Sequence, residues 1–144
     1  MRPDRFETFA IDTVRQAGHP LVSKVLTLKE AGEGRQPYGL EVQFTTGTAL
    51  RWQIIAESAP GDKYDQPEVP VEGEAPMAPL GEVDLAAKPD RVSGEAWLAH
   101  LLSAAGSKEL ASIEEWSKRE ETKAGHHGMT LRFHSGAKVY VRAV

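Results

Sequence analysis

The chain contains no cysteine, which removes disulfide frameworks, thiolate metal sites, cysteine nucleophiles and thiol redox switches together. That absence fits a reducing compartment, and a cytoplasmic location is expected. No run of about 18 apolar residues occurs, and Met1-Arg2-Pro3-Asp4-Arg5-Phe6-Glu7 is charged with no apolar stretch behind it, so the chain reads as soluble and unprocessed, without a membrane partner. Glycine loops that cradle phosphate are missing: neither Gly-x-Gly-x-x-Gly opening a helix nor a loop ending in Gly-Lys-Ser/Thr is present. The nucleophile elbow Gly-x-Ser-x-Gly is absent too, and Ser135 falls in an expected hairpin loop.

Acidic residues are missing from 123–144, which carry four bases, whereas residues 57–95 carry ten acids and three bases. The net charge of −4 hides this polarity, which fits an anionic ligand at the basic end, a basic partner for the acidic middle, or mutual neutralisation. At 144 residues the expectation is a single α+β domain spanning 1–144, large enough to bury a core without crosslinks.

Phe6, Phe9, Ala10, Val14 and Ala17 recur at helical spacing behind Pro3, and Gly18 with Pro20 supplies a stop; a helix is read over 3–17. Leu21 to Lys29 is rich in Val, Leu and Thr and reads as a strand. From Gly39 the sequence alternates strictly, with Leu40, Val42 and Phe44 answered by Leu50, Trp52 and Ile54 across Thr45-Thr46-Gly47. A hairpin with a left-handed glycine pairs Val42 with Leu50, Leu40 with Trp52 and Glu41 with Arg51. Six of the nine prolines fall between 60 and 89, so an irregular, extended, acidic insertion is expected at about 58–92.

Ser93 is the expected cap of a helix with Trp97, Leu98, Leu101, Leu102 and Ala105 as its stripe. Leu110, Ile113 and Trp116, three residues apart, suggest a further helix from Ser107 to Gly125, its charges solvated. A second alternating run, Met129, Leu131, Phe133, then Val139, Val141 and Ala143 across His134-Ser135-Gly136, closes the chain. The expected fold is therefore a mostly antiparallel five-stranded sheet, in the order α-βββ-αα-ββ, with helices packed on one face. Its core joins the alternating residues to Phe6, Phe9, Val14, Trp97, Leu101, Ile113 and Trp116.

The two hairpins align without gaps, Gly39 on Gly128, Phe44 on Phe133 and Gly47 on Gly136. Convergence is the first explanation, because any half-buried hairpin shows such alternation; duplication of a helix-plus-hairpin unit is the second. Their outward residues differ. Glu41 faces Arg51 in the first, while the same register sets Arg132 against Lys138 in the second, with Arg142 nearby. Like charges facing across strands are unfavourable unless neutralised, and the acids of 57–95 or Glu120 and Glu121 are the expected counter-charges. Arg132, His134, Lys138, Tyr140 and Arg142 are accordingly the candidate ligand, anion or partner-binding residues.

No catalytic residue, cofactor or metal is expected. His126, His127 and His134 cluster in sequence but match no recurrent metal spacing. The element order resembles the core of restriction-endonuclease-like nucleases, which hold Mg²⁺ with an acid and an acid-x-lysine on adjacent strands; Glu41, Gln43, Glu7 and Glu57 would have to serve here, without that lysine. The same order is similar to small bacterial chaperone-type α+β domains. Ala, Gly, Arg and Val usage suggests a high-GC genome. The functional expectation is a non-enzymatic protein-interaction module, adaptor or chaperone-like, of a bacterium or bacterial mobile element. Its partner is expected to be another protein or a second copy in a homodimer. The alternatives are a nucleic-acid-binding accessory protein using the basic C-terminal hairpin and a metal-dependent nuclease-like domain.

Overall fold

A computed structural model describes all 144 residues. The order is α1 (Pro3–Ala17), β1 (Val22–Thr27), β2 (Gly39–Phe44), β3 (Ala49–Glu57), α2 (Arg91–Ala104), β4 (Leu110–Glu115), β5 (Gly128–Phe133) and β6 (Lys138–Ala143), with a 3₁₀ turn at Trp116–Lys118. The six strands form one antiparallel sheet in the order β1-β2-β3-β6-β5-β4. Both helices pack on the face presented by Leu40, Val42, Phe44, Leu50, Trp52, Met129, Leu131, Phe133, Val139 and Val141, all buried. No helix is long and apolar enough to cross a membrane.

The expectation of five strands is corrected to six, because the segment read as a second helix after Ser107 is β4. A β-bulge between Leu110 and Ser112 explains the error. A bulge adds one residue to a strand, so two core-facing positions that would lie two apart lie three apart, which imitates a helix. Leu110 and Ile113 pair with the core residues Phe133 and Leu131, while Trp116 leaves the core and crosses to the opposite face, against Gly128. Of the other core expectations, Phe6, Val14 and Trp97 are buried, while Phe9, Leu101 and Ile113 are partly so.

α1 has Pro at its first turn and Gly18 at φ 59°, whose N–H returns to the Arg15 carbonyl. α2 begins earlier than expected. Asp90, not Ser93, is its cap: the Asp90 carboxylate accepts from the Ser93 N–H at 2.8 Å, and Ser93 Oγ accepts in return from the Asp90 N–H. The irregular stretch therefore ends at residue 90.

The chain folds twice in the same way. Pro3 corresponds to Arg91 and Val22 to Leu110, an offset of 88, and Gly39 to Gly128 and Ala49 to Lys138, an offset of 89. The bulge of β1 between Val22 and Lys24 recurs at its counterpart in β4. The Gly39 N–H donates to Glu7 Oε2 at 2.9 Å, and the Gly128 N–H to the corresponding Glu95 Oε1 at 2.8 Å. Thr45 N–H donates to Leu21 O at 2.8 Å, as His134 N–H does to Glu109 O at 2.9 Å. Half-buried alternation requires none of these features, so the repeat is an α-βββ unit rather than a helix plus a hairpin. Gln53 and Arg142 correspond to each other and face each other across β3 and β6, which places the pseudo-twofold axis between them.

Both Glu–Gly bonds depend on close approach. A Cβ at Gly39 would lie 2.3 Å from the Trp52 carbonyl oxygen, and one at Gly128 2.1 Å from that of Val141. Gly39→Ala and Gly128→Ala are each expected to cost about 3 kcal/mol of unfolding free energy, through overpacking that the paired strands cannot relieve. Urea denaturation measures this; a loss below about 0.5 kcal/mol would refute a fixed backbone approach.

Residues 58–90 hold no helix or strand, yet they are tied down along their length. Arg2 Nη2 bonds Asp62 Oδ1 at 2.9 Å, Arg5 bonds both Glu68 and Glu109, and the Gly73 N–H donates to the Lys108 carbonyl at 2.8 Å. Leu80 is bonded to Ser103 and His100, and His19 Nε2 lies 2.6 Å from Asp84 Oδ1. Arg5, chiefly, holds the Glu68 carboxyl at about 2, below its ordinary 4.5. The folded value lies under the unfolded one, so the pairing stabilises above about pH 4.5 and is lost as pH falls towards 2. Glu68→Gln should remove on the order of 2 kcal/mol of stability at neutral pH, and little near pH 2 where the wild type has already lost it. Equal losses at both pH values in thermal melts would contradict this.

Candidate functional site

With both helices on one side, the other face of the sheet carries no helix. Alternation sends Glu41, Gln43, Arg51, Gln53, Ile55 and Glu57 to this face from β2 and β3, and Thr130, Arg132, Lys138, Tyr140 and Arg142 from β5 and β6. Two loops cover its margins at corresponding places. Leu28 plugs the side of Gly39, and Trp116, its counterpart, the side of Gly128. The strip along β3 and β6 between them is open.

On this face the structure brings together Arg132, Lys138, Tyr140 and Arg142. Arg132 stands opposite Lys138, Thr130 opposite Tyr140, and Gly128 opposite Arg142, the register expected from sequence. His134 is not part of the group: it sits in the β5–β6 turn with its ring against Gly73 of the irregular segment. No three His, Asp or Glu side chains are grouped to hold a metal ion, which applies also to His126, His127 and His134. The carboxylates required by the nuclease resemblance do not converge. Glu41 bonds Arg51 Nε at 2.5 Å and Gln43, Glu7 takes the Gly39 N–H, and Glu57 takes the Tyr140 hydroxyl at 2.8 Å; these residues do not fit Mg²⁺.

Of the expected counter-charges, only Glu57 lies on this face beside the basic residues. Of the acids of the irregular segment, Asp62, Glu68 and Asp84 pair with Arg2, Arg5 and His19, on the helical side of the molecule. Arg2, Arg5, Arg51 and Arg119 each pair with a carboxylate, whereas Arg132, Lys138 and Arg142 form no ion pair. Glu57, opposite Lys138 in register, is the nearest acid in the sheet, and its bond to Tyr140 pushes the phenol above its usual range. The corresponding positions of the first half are Gln43, Ala49, Arg51 and Gln53, where Arg51 is neutralised. There Glu41 is pushed up by burial, but Gln43 and Arg51 outweigh this and hold it below the usual carboxylate range.

Beside Tyr140 lies a cavity of about 330 Å³ lined by Trp116, Arg119, Glu121, Thr122, Lys123 and His126. Trp116 is fixed there: its Nε1–H donates to Thr130 Oγ1 at 3.0 Å, one ring face meets Gly128, and the Arg119 guanidinium lies 5.2 Å from the indole centroid. Reading 107–125 as a helix hid Trp116, Arg119 and Lys123 from the site. Aligning Leu28 with Trp116 across the two halves would have exposed them.

The fold and the face define a two-helix, six-stranded α+β protein with a charged, solvent-facing sheet. No protein family, curated protein or solved structure matches this chain.

Arg132 and Lys138 repel each other without a counter-ion, at a cost of a few tenths of a kcal/mol. Arg132→Glu should therefore raise the urea midpoint slightly, pairing with Lys138. A clear drop would mean that an acid already neutralises Arg132.

Proposed function

We propose that the chain is a non-enzymatic protein-interaction module of a bacterial cytoplasm, adaptor or chaperone-like, whose uncovered sheet face takes an acidic segment of a partner protein. The observation that carries this reading is the unpaired set Arg132, Lys138 and Arg142 on that face, on a chain whose net charge is −4. Three cations on one face with a single acid, Glu57, beside them leave an excess of positive charge that an anionic ligand would relieve. Lys123 adds a further cation at the cavity beside Tyr140, whose one acid is Glu121.

A protein partner is favoured over nucleic acid by the state of the aromatic rings. Single-stranded nucleic acids are held by bases stacked on exposed aromatic faces. Trp116 packs against Gly128 and carries the Arg119 guanidinium 5.2 Å from its centroid. The positive charge is available, but the larger ring, Trp116, is already engaged by Arg119.

Fluorescence anisotropy with a labelled oligoglutamate peptide and a labelled oligothymidylate, at low and high salt, tests the proposal. The peptide should bind, and Arg132→Glu combined with Arg142→Glu should weaken it about tenfold, roughly 1.4 kcal/mol, with circular dichroism unchanged. Tighter binding of oligothymidylate, lost in the same variant, would replace the reading by the nucleic-acid one. No binding of either would end it.

A further inference from the structure

The open strip on the outward face is a trough. Gly39, Gln53, Arg142 and Gly128 stand in one row across β2, β3, β6 and β5, so the two glycines are three strand spacings apart, about 14 Å. Leu28 is seated on the first and Trp116 on the second. Between these walls the floor is two strands wide, which suits an extended chain better than a helix of roughly 10–12 Å diameter.

β3 and β6 form that floor in rows: Arg51 with Val144, Gln53 with Arg142, Ile55 with Tyr140, and Glu57 with Lys138. Ile55 is the one large apolar side chain of the six strands left exposed, at 49%. Tyr140, directly opposite, donates its hydroxyl to Glu57 Oε2 at 2.8 Å, which leans the ring across the seam towards β3. The offset of 89 between the halves carries Ile55 onto Val144 and Arg51 onto Tyr140, so the row of Arg51 and Val144 is the counterpart of this one. There the arginine is neutralised by Glu41. Around Ile55 and Tyr140 the cations form no ion pair: Arg142 lies one row away on one side, and Lys138 one row away on the other with Arg132 beside it. Glu57 is the single acid against them. An exposed apolar pair with free cations on both sides occurs at this end only.

We propose that the trough selects an extended partner segment of the pattern acid-x-apolar-x-acid, with Ile55 as the specificity-determining contact for the apolar residue. The proposal rests on the reading of the basic face as a site for an acidic segment, and specifies what that segment must carry. Side chains of an extended chain alternate between its two faces, so every second residue of the ligand points at the floor. Arg142, Tyr140 and Lys138 repeat with the same period along β6. An acid on Arg142 and another on Lys138 and Arg132 therefore set the residue midway between them over Ile55 and Tyr140. An apolar residue there takes the exposed isoleucine out of water, and a serine does not.

The test titrates the full chain with three capped peptides, Glu-Ser-Leu-Ser-Glu, Glu-Ser-Ser-Ser-Glu and Ser-Glu-Leu-Glu-Ser, followed by the backbone amide NMR signals of Ile55 and Tyr140. The first should bind about tenfold more tightly than either of the others. In Ile55→Ser its advantage over the second should fall to within twofold. Ile55→Thr, which keeps the branching that strands favour, should cut the advantage at least threefold and serves if the serine variant fails to fold. If the first two peptides bind the wild type alike, this inference falls and the acidic-segment reading stands. A leucine preference that survives at Ile55→Ser, or equal binding of the two leucine peptides, overturns it as well. Failure of all three peptides and of oligoglutamate to bind would remove the underlying reading with it.

Discussion

The antiparallel pairing of β3 with β6 joins two three-stranded units into one sheet, and much else follows from it. Because each unit contributes its last strand to this seam, the two helices start at opposite ends of the sheet. Phe6 lies over Phe133 at the end of β5, and Gly94 lies over Leu50 at the start of β3. A chain leaving β3 at Glu57 must therefore travel the length of the sheet before α2 can begin. The irregular stretch 58–90 makes that journey, and its prolines suit a path that is extended without pairing to a neighbour. Three of its acids anchor the route, Asp62 on Arg2, Glu68 on Arg5 and Asp84 on His19.

The same seam decides which surface is free. Six strands with two helices on one side leave the other side without a layer, and two marginal plugs, Leu28 and Trp116, cover only its flanks. Polar side chains from β3 and β6 fill the gap between them. An antiparallel sheet tolerates water on one face, so the arrangement needs no further cover to be stable. It does need the outward charges to be balanced, and in the second half they are not.

Much of this was legible in the residues. Pro3 and Gly18 bound α1 because each fits one end of a helix and not the other. The alternation from Gly39 and from Gly128, with its Gly-terminated turns, fixed both hairpin registers, including the confrontation of Arg132 with Lys138. What escaped notice depended on contacts distant in sequence. A bulge at Leu110 borrows the spacing of a helix, which draws Trp116 into the expected core and conceals the full α-βββ repeat. The acids of the irregular stretch were expected near the basic hairpin because charge alone does not say which bases they will meet; Arg2 and Arg5 were the ones within reach. His134 shares the outward alternation of Arg132, but the turn carries it away against Gly73.

The Glu7–Gly39 and Glu95–Gly128 bonds hold the two halves to one backbone plan, but they constrain nothing on the outward face. Had the halves been separate identical chains, each cation on that face would have appeared twice, related by the axis at Gln53 and Arg142, and the repulsion would have doubled with it. Covalent linkage lifts that requirement. A substitution falls on one half and leaves its counterpart as it was, so the molecule can keep a quiet half that secures the sheet and a strained half that is free to seek a ligand.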